Sequence, residues 1–302
     1  MGRLSAILIA GPTASGKSAL ALALALRFGG AVVNADSMQV YRDLRILSAR
    51  PTPRDEAAVE HLLYGHVDGA VNYSVGLWLA DFSHALDALR AAGRMAVVVG
   101  GTGMYFKALT QGLSDIPGVP EEVRAKVRSE AQGFSPADLH AQLAAVDPET
   151  AARLQPTDPQ RILRALEVFA ATGKPLASLQ GLRAAPLLAE REWRGFFLAP
   201  ERESVRAAID RRFERMMAQG ALDEVAALRA RNIDPALPVM RAHGVPGLMA
   251  HLDGLMTLDE AVAKGQADTR AYSKRQFTFA RHQLPEFRWV APEGAEQNII
   301  AG

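Results

Sequence analysis

Residues 4–28 read LSAILIAGPTASGKSALALALALRF. The apolar run 4–10 stops at Gly11-Pro12, and from 18 to 28 the chain resumes in helix-favouring Ala and Leu, a pattern that predicts strand, glycine-rich turn and helix. The turn Gly11-Pro12-Thr13-Ala14-Ser15-Gly16-Lys17-Ser18 fits the phosphate-binding pattern Gly-x4-Gly-Lys-Ser/Thr, in the strand-to-helix setting that pattern requires. In such a loop the backbone N–H groups and the helix N-terminus wrap a diphosphate. Lys17 then adds a point charge, and the Ser18 hydroxyl is a ligand for Mg²⁺. Alone, the loop speaks only of a bound phosphate.

Outward from it, 31–34 begins a second strand and 78–92 has apolar residues at helical spacing. Residues 95–99 form a β-branched run ending in Gly100-Gly101, and 194–198 supplies a further strand. Buried runs alternating with helices predict an α/β fold, a phosphate-loop core whose parallel sheet is flanked by helices. After Ile116-Pro117-Gly118-Val119-Pro120 the strand signals vanish until about residue 192. The organisation predicted is a core of 1–114 and 193–302 interrupted by an all-helical insertion at 115–192. Beyond Pro200 the chain reads as helix to the end, over 201–219, 221–231 and 258–283, with a frayed tail from Pro292.

Composition bounds the partners. With 34 Lys plus Arg against 33 Asp plus Glu, any polyanion must be bound by a local basic face. Zero Cys removes thiol catalysis, disulfides and Cys-ligated zinc, and fits a reducing cytoplasm. The seven histidines offer no zinc-like pair at helical i, i+4 spacing. No unbroken run of about 18 apolar residues predicts a membrane span, so a cytoplasmic protein, acting as a monomer, is expected.

The chemistry-bearing residues converge on one sheet edge. Asp36-Ser37-Met38-Gln39 follows the second strand, at the carboxyl edge where the 11–18 loop also lies and where ligands bind in such folds. A carboxylate there either reaches a metal or serves as a base; a plain helix N-cap is the competing reading. A nucleotide hydrolase would carry an acidic residue at the end of the 95–99 strand. Gly100-Gly101-Thr102-Gly103 stands there instead. Glycines permit close approach of a ligand, and Thr102 offers an uncharged hydrogen bond; a simple turn is the alternative.

The stretch 11–18, Asp36-Ser37-Met38-Gln39-Val40-Tyr41, Val99-Gly100-Gly101-Thr102-Gly103-Met104-Tyr105, Asp158-Pro159-Gln160-Arg161 and Arg164-Ala165-Leu166-Glu167-Val168 together resemble the tRNA dimethylallyltransferase family, also called the tRNA isopentenyltransferases. The resemblance extends to Thr172-Gly173-Lys174-Pro175 and to Lys274-Arg275-Gln276, and spans nearly the whole chain. It implies transfer of a dimethylallyl group from dimethylallyl diphosphate to N6 of adenine 37, beside the anticodon of tRNAs reading codons that begin with U. The implied catalytic residues are Asp36 as base, Thr102, Lys17 and Arg212. Lys17, Arg212 and Mg²⁺ on Ser18 would neutralise the departing diphosphate.

The target adenine would have to be turned out of its stack into the protein. The matching RNA-contact positions are Asp36, Ser37, Met38, Gln39, Thr102, Arg124, Gln160, Arg161, Ile162, Leu163, Arg164, Lys274, Arg275 and Gln276, with the helical insertion clamping the anticodon stem-loop. Charge patterning adds independent support, since Lys264, Arg270, Lys274, Arg275 and Arg281 face a single acid, Asp268, across 264–281. Residues 201–216 mix five Arg with four acids and read as a salt-bridged helix. The chain departs from the family at Arg241-Ala242-His243-Gly244-Val245-Pro246, where an aromatic and a basic residue usually follow the glycine. The rival readings are a nucleoside or nucleotide kinase, an adenylate isopentenyltransferase acting on free AMP, and an RNA-binding switch ATPase.

Overall fold

The structure, a computed structural model, describes residues 4–114, 116–181 and 183–301. The chain enters through β1 (Ala6–Ala10), all five residues buried, and the glycine-rich turn delivers it into α1 (Lys17–Phe28). There follow β2 (Ala31–Asn34), α2 (Pro53–Ala58), β3 (His61–Leu62), α3 (Val75–Ala91), β4 (Ala96–Gly100) and α4 (Gly103–Gln111). A helical stretch comes next, with α5 (Glu121–Glu130), α6 (Pro136–Val146), α7 (Pro148–Arg153), α8 (Pro159–Thr172) and α9 (Leu176–Leu179). The chain then returns through β5 (Trp193–Leu198), α10 (Arg202–Ala218), α11 (Ala221–Ala230) and a 3₁₀ turn, Pro238–Arg241. It closes with α12 (Val245–Leu252), α13 (Leu258–Gln283), β6 (Arg288–Val290) and α14 (Ala295–Ala301).

The six strands form one parallel sheet in the order β3-β2-β4-β1-β5-β6. Period-2 alternation divides β1 between two cores. Ala6, Leu8 and Ala10 join the cluster of Trp78, Phe82, Phe106 and Phe197, while Ile7 and Ile9 pack with Leu24 of α1 and Ile299 of α14. Register sets Ala10 beside Gly100 and Phe197, and Asn34 beside Val99. The strand ends are therefore level, and the loops following β1, β2 and β4 emerge along one carboxyl edge.

Two expectations for the end of the chain are corrected. The region after Pro200 is not all helix, because β6 adds a parallel edge strand to β5. It escaped reading because only Val290 of its three residues is buried, too short a run to show alternation. Nor is the tail from Pro292 frayed, since Ala295 and Ile299 of α14 are buried in the α1-side core.

The chain divides into two compact units, 1–110 with 187–302, and 111–186. The sequence reading put the second at 115–192. Its later limit moves because Leu188, ahead of the returning strand, is fully buried in the large core of the sheet unit. The helical unit has its own core around Leu143, Ile162, Ala165 and Val168. Within it the buried Asp147 accepts N–H bonds from Thr150 (3.0 Å) and Leu176 (2.6 Å), tying α7 to α9. Among the described residues, no helix is long and apolar enough to cross a membrane.

Candidate active site at the carboxyl edge of the sheet

In the 11–18 loop, Ala14 and Gly16 take positive φ angles of 64° and 85°. A Cβ on Gly16 would meet nothing, so conformation rather than space asks for glycine there. The Lys17 ammonium donates to the Pro12 carbonyl at 3.0 Å. Gln276, reaching in from α13, is buried and braces the loop: its side-chain oxygen accepts the Thr13 N–H (3.0 Å) and its nitrogen donates to the Gly101 carbonyl (2.9 Å).

The turn after β2 is fixed from below. Asn34 is fully buried; its side-chain oxygen accepts the Asp36 N–H (2.8 Å) and its nitrogen donates to the carbonyls of Asp36 (2.9 Å) and Leu63 (3.0 Å). Trp78, stacked on Tyr105 at 4.1 Å, donates its indole N–H to the Asn34 carbonyl. Above this frame the Asp36 carboxylate accepts the Met38 N–H (3.0 Å), and Thr102 Oγ1 accepts the Ser37 N–H (2.9 Å).

These loops and α10 enclose an open cleft of about 1000 Å³ lined by Thr13, Lys17, Ser18, Asp36, Ser37, Met38, Gln39 and Arg212. Burial, and then the neighbouring Arg212, lower the Lys17 ammonium to about 8, with Asp36 opposing both. Burial likewise lowers Arg212 against the pull of Asp36. Two desolvated cations and one carboxylate thus face a common space, the arrangement that can hold a multiply charged anion and accept a proton beside it.

The remaining walls were not legible in the sequence. Phe213 and Met216 line the cleft beside Arg212, and Tyr272 and His243 form a ring pair 4.9 Å apart. Burial and then Asp36 raise the Tyr272 phenol. Burial and then Arg275 lower His243, against Asp268 and Asp36. The helical spacings 212/216 and 272/276 were the available signal. His243 comes from the segment that departs from the family pattern.

Several expected contacts are placed otherwise. The glycines at the end of β4 and just beyond it answer to the protein's own packing: a Cβ would fall 2.0 Å from the Ala35 carbonyl at Gly100, 2.2 Å from Gln276 at Gly101 and 2.3 Å from Phe279 at Gly103. Thr102 is engaged with Ser37, so it acts on the Asp36 turn. Gln39 donates to the carbonyls of Ser48 and Ala49. Gln276 is buried, whereas Lys274 and Arg275 are exposed, Arg275 over the Tyr272 ring at 5.5 Å.

In the helical unit Gln160 and Arg161 are exposed, Arg161 pairing with Asp158 at 3.3 Å. Ile162 is fully buried and Leu163 packs on the unit's core, because α8 turns its apolar face inward. Arg124 (3.8 Å) and Arg164 (4.0 Å) lie with Arg128 (2.9 Å) around Glu167, which is 2% exposed. Three guanidiniums around one carboxylate satisfy a buried charge that would otherwise be very costly.

No group of three or more His, Cys, Asp or Glu side chains able to hold a metal is found among the described residues. The Ser18 hydroxyl and Asp36 carboxylate are oxygen donors lining the cleft, a set that suits a hard cation drawing its other oxygens from a diphosphate and water.

Residues 39–283 match the model of the IPP transferase family, and 4–64 match that of isopentenyl transferases. The chain belongs to the IPP transferase family. It is 60% identical over 299 residues to the tRNA dimethylallyltransferase of Methylocella silvestris, covering 99% of each chain. With that of Methylobacterium nodulans it shares 62% over 298 residues, 98% of each. Among solved IPP transferase structures it is similar to the full-length tRNA isopentenylpyrophosphate transferase of Bacillus halodurans, at 30% identity and TM-score 0.70 over 99% of this chain and 96% of that one. A eukaryotic dimethylallyltransferase acting on tRNA gives TM-score 0.78 at 25% identity, over 96% of this chain and 74% of that one.

Proposed function

We propose that this chain is a tRNA dimethylallyltransferase: it moves a dimethylallyl group from dimethylallyl diphosphate to N6 of adenine 37, beside the anticodon of tRNAs reading codons that begin with U. The product is N6-dimethylallyladenosine. The observation that carries the reading is the cleft in which Lys17, Ser18 and Arg212 meet Asp36, within a chain about 60% identical to named enzymes of that activity.

The diphosphate lies along the 11–18 loop, its charge met by Lys17 and Arg212. As the bond from the prenyl carbon to oxygen breaks, negative charge grows on the leaving oxygen, and the contacts of these cations strengthen most at that moment. The N6 nitrogen forms the new bond to carbon, and its proton passes to the Asp36 carboxylate. Ser18 would hold Mg²⁺, which when bound would supply further positive charge to the diphosphate. Thr102 and Asn34 hold the 36–37 turn so that the carboxylate meets the amine. Phe213, Met216 and the Tyr272–His243 pair give the cleft an apolar and aromatic wall suited to a prenyl chain and a turned-out base. Exposed Gln160 and Arg161 of the helical unit supply a further RNA-contact surface.

The test is a transfer reaction with purified protein, Mg²⁺ and labelled dimethylallyl diphosphate, offering unmodified tRNA, AMP or ATP separately and digesting the products to nucleosides. Label in N6-dimethylallyladenosine from tRNA alone is expected. Label on AMP, or ATP turnover without prenyl transfer, would overturn the reading.

A further inference from the structure

Glu224 stands half-buried on α11, apart from the residues that line the cleft, yet its carboxylate closes on a turn far away in sequence. One oxygen accepts the N–H groups of Arg45 (2.5 Å) and Ile46 (2.7 Å), and the other accepts that of Leu47 (2.9 Å). Three successive backbone N–H groups form a concavity of the kind that binds anions. Here the protein fills it with its own carboxylate, and hydrogen bonds to an ionised acceptor are about twice as strong as neutral ones.

The turn does not need Glu224 for its shape. Ser48 Oγ donates to the Leu44 carbonyl (2.5 Å), and the N–H groups of Ala49 and Arg50 donate to the carbonyls of Ile46 (2.9 Å) and Arg45 (3.1 Å). What the carboxylate adds is location, since it ties an already closed turn to a helix. Ala49 is held in that turn at a φ of 50°, a left-handed conformation that is costly for a residue with a Cβ. Such strain persists where the surroundings over-determine it, and it gathers at functional sites.

From the turn, contacts run to the cleft on two sides. Leu47 and Ser48 line the cleft themselves, and Gln39 donates to the carbonyls of Ser48 (2.9 Å) and Ala49 (3.2 Å), joining the turn to the loop that carries Asp36. On the other side a Cβ on Gly244 would fall 3.0 Å from Leu47 and 3.1 Å from Phe213. Leu47 thus closes on the same glycine as Phe213, the neighbour of Arg212.

We propose that Glu224 is a positioning residue for the transfer reaction, holding the 45–49 turn, and through Gln39 the Asp36 loop, in place opposite Arg212. The proposal rests on the tRNA reading above. A misplacement of about 1 Å far from the reacting atoms can cost about 100-fold in rate, while the 11–18 loop keeps its hold on the diphosphate.

The test compares the parent with Glu224→Gln, which exchanges one acceptor oxygen for a donor, and Glu224→Ala, which removes both. The first readout is the single-turnover rate constant at saturating RNA and dimethylallyl diphosphate, which is independent of the fraction of protein that is folded. The second is trypsin cleavage after Arg45 under native conditions, which requires the turn to open. The rate constant is expected to fall about 10-fold in Glu224→Gln and about 100-fold in Glu224→Ala, with diphosphate affinity within about threefold of the parent. Cleavage after Arg45 should quicken about fivefold or more in both, with cleavage elsewhere unchanged. Adding Gln39→Met to Glu224→Gln should cost no more than the larger single effect, because both sever one link. Should Glu224→Ala fail to fold, Glu224→Gln decides. Parental cleavage would overturn the proposal, as would faster cleavage with a parental rate constant, the mark of a purely structural clamp. Effects of Glu224 and Gln39 that multiply would contradict the route between them. Faster cleavage in a protein whose parent transfers no prenyl group to tRNA would leave the clamp standing and sink the catalytic reading instead.

Discussion

The cations of the cleft and those of the neighbouring groove between α10 and α13 share their chemistry and differ in their solvent. Lys17 and Arg212 are half-buried with Asp36 in electrostatic reach, and burial depresses both. Arg202, Arg206 and Lys274 stand exposed, with no carboxylate lining their groove. Charge interactions are several-fold stronger away from bulk water and are screened less by salt. The same kind of side chain can therefore serve turnover in one place and salt-sensitive affinity in the other.

The largest expected effect breaks the cleft at its carboxylate. Asp36→Ala should lower the single-turnover transfer rate by about 1000-fold while changing diphosphate affinity far less. Comparable losses in both would move Asp36 from proton acceptor to metal holder. Arg212→Gln should cost about 100-fold in kcat, read under saturating RNA and diphosphate, because its charge counts most as the leaving group forms. A change in KM alone would place Arg212 with the groove's cations.

A pH titration sharpens the contrast at Lys17. In the free protein this ammonium loses its proton near 8, whereas a bound diphosphate favours the charged form. Affinity is therefore fully present below that pH and falls above it, approaching about tenfold per pH unit, as measured by diphosphate titration between about pH 7 and 10. Affinity flat across that range would remove Lys17 from the anion's contacts. The smallest effect is structural. Gln276→Leu leaves the Thr13 N–H and the Gly101 carbonyl without their partner, and should lower stability by about 2 kcal/mol in a urea melt while leaving the salt slope of RNA binding unchanged.

The sheet was legible because β1, β2 and β4 are buried through their whole length, and such strands announce themselves as β-branched or aliphatic runs. The edge strand β6 and the buried tail helix α14 were not, since their burial depends on partners distant in sequence. At the site, the spacing of 11–18 and the place of Asp36 gave the anion-binding half. The aromatic wall did not show, because Tyr272 and His243 meet only through the packing of α13 on the segment ahead of α12. Gln276 and Ile162 carry motif positions yet are buried, showing that a motif marks what a family keeps without saying whether the residue touches a ligand. The arginines of α10 without a carboxylate partner were hidden by composition, since Asp210 pairs with Arg270 of α13: charges balanced along the sequence are not balanced in space.

The most direct measurement is single-turnover prenyl transfer by the parent protein as salt rises from about 50 to 200 mM, with the RNA concentration varied at each step. The RNA needed for half-saturation should rise tenfold or more, as exposed phosphate contacts are screened. The rate constant at saturation should stay within about twofold, because Lys17 and Arg212 act where salt screens poorly. A saturated rate that falls in step with RNA affinity would contradict the division between cleft and groove.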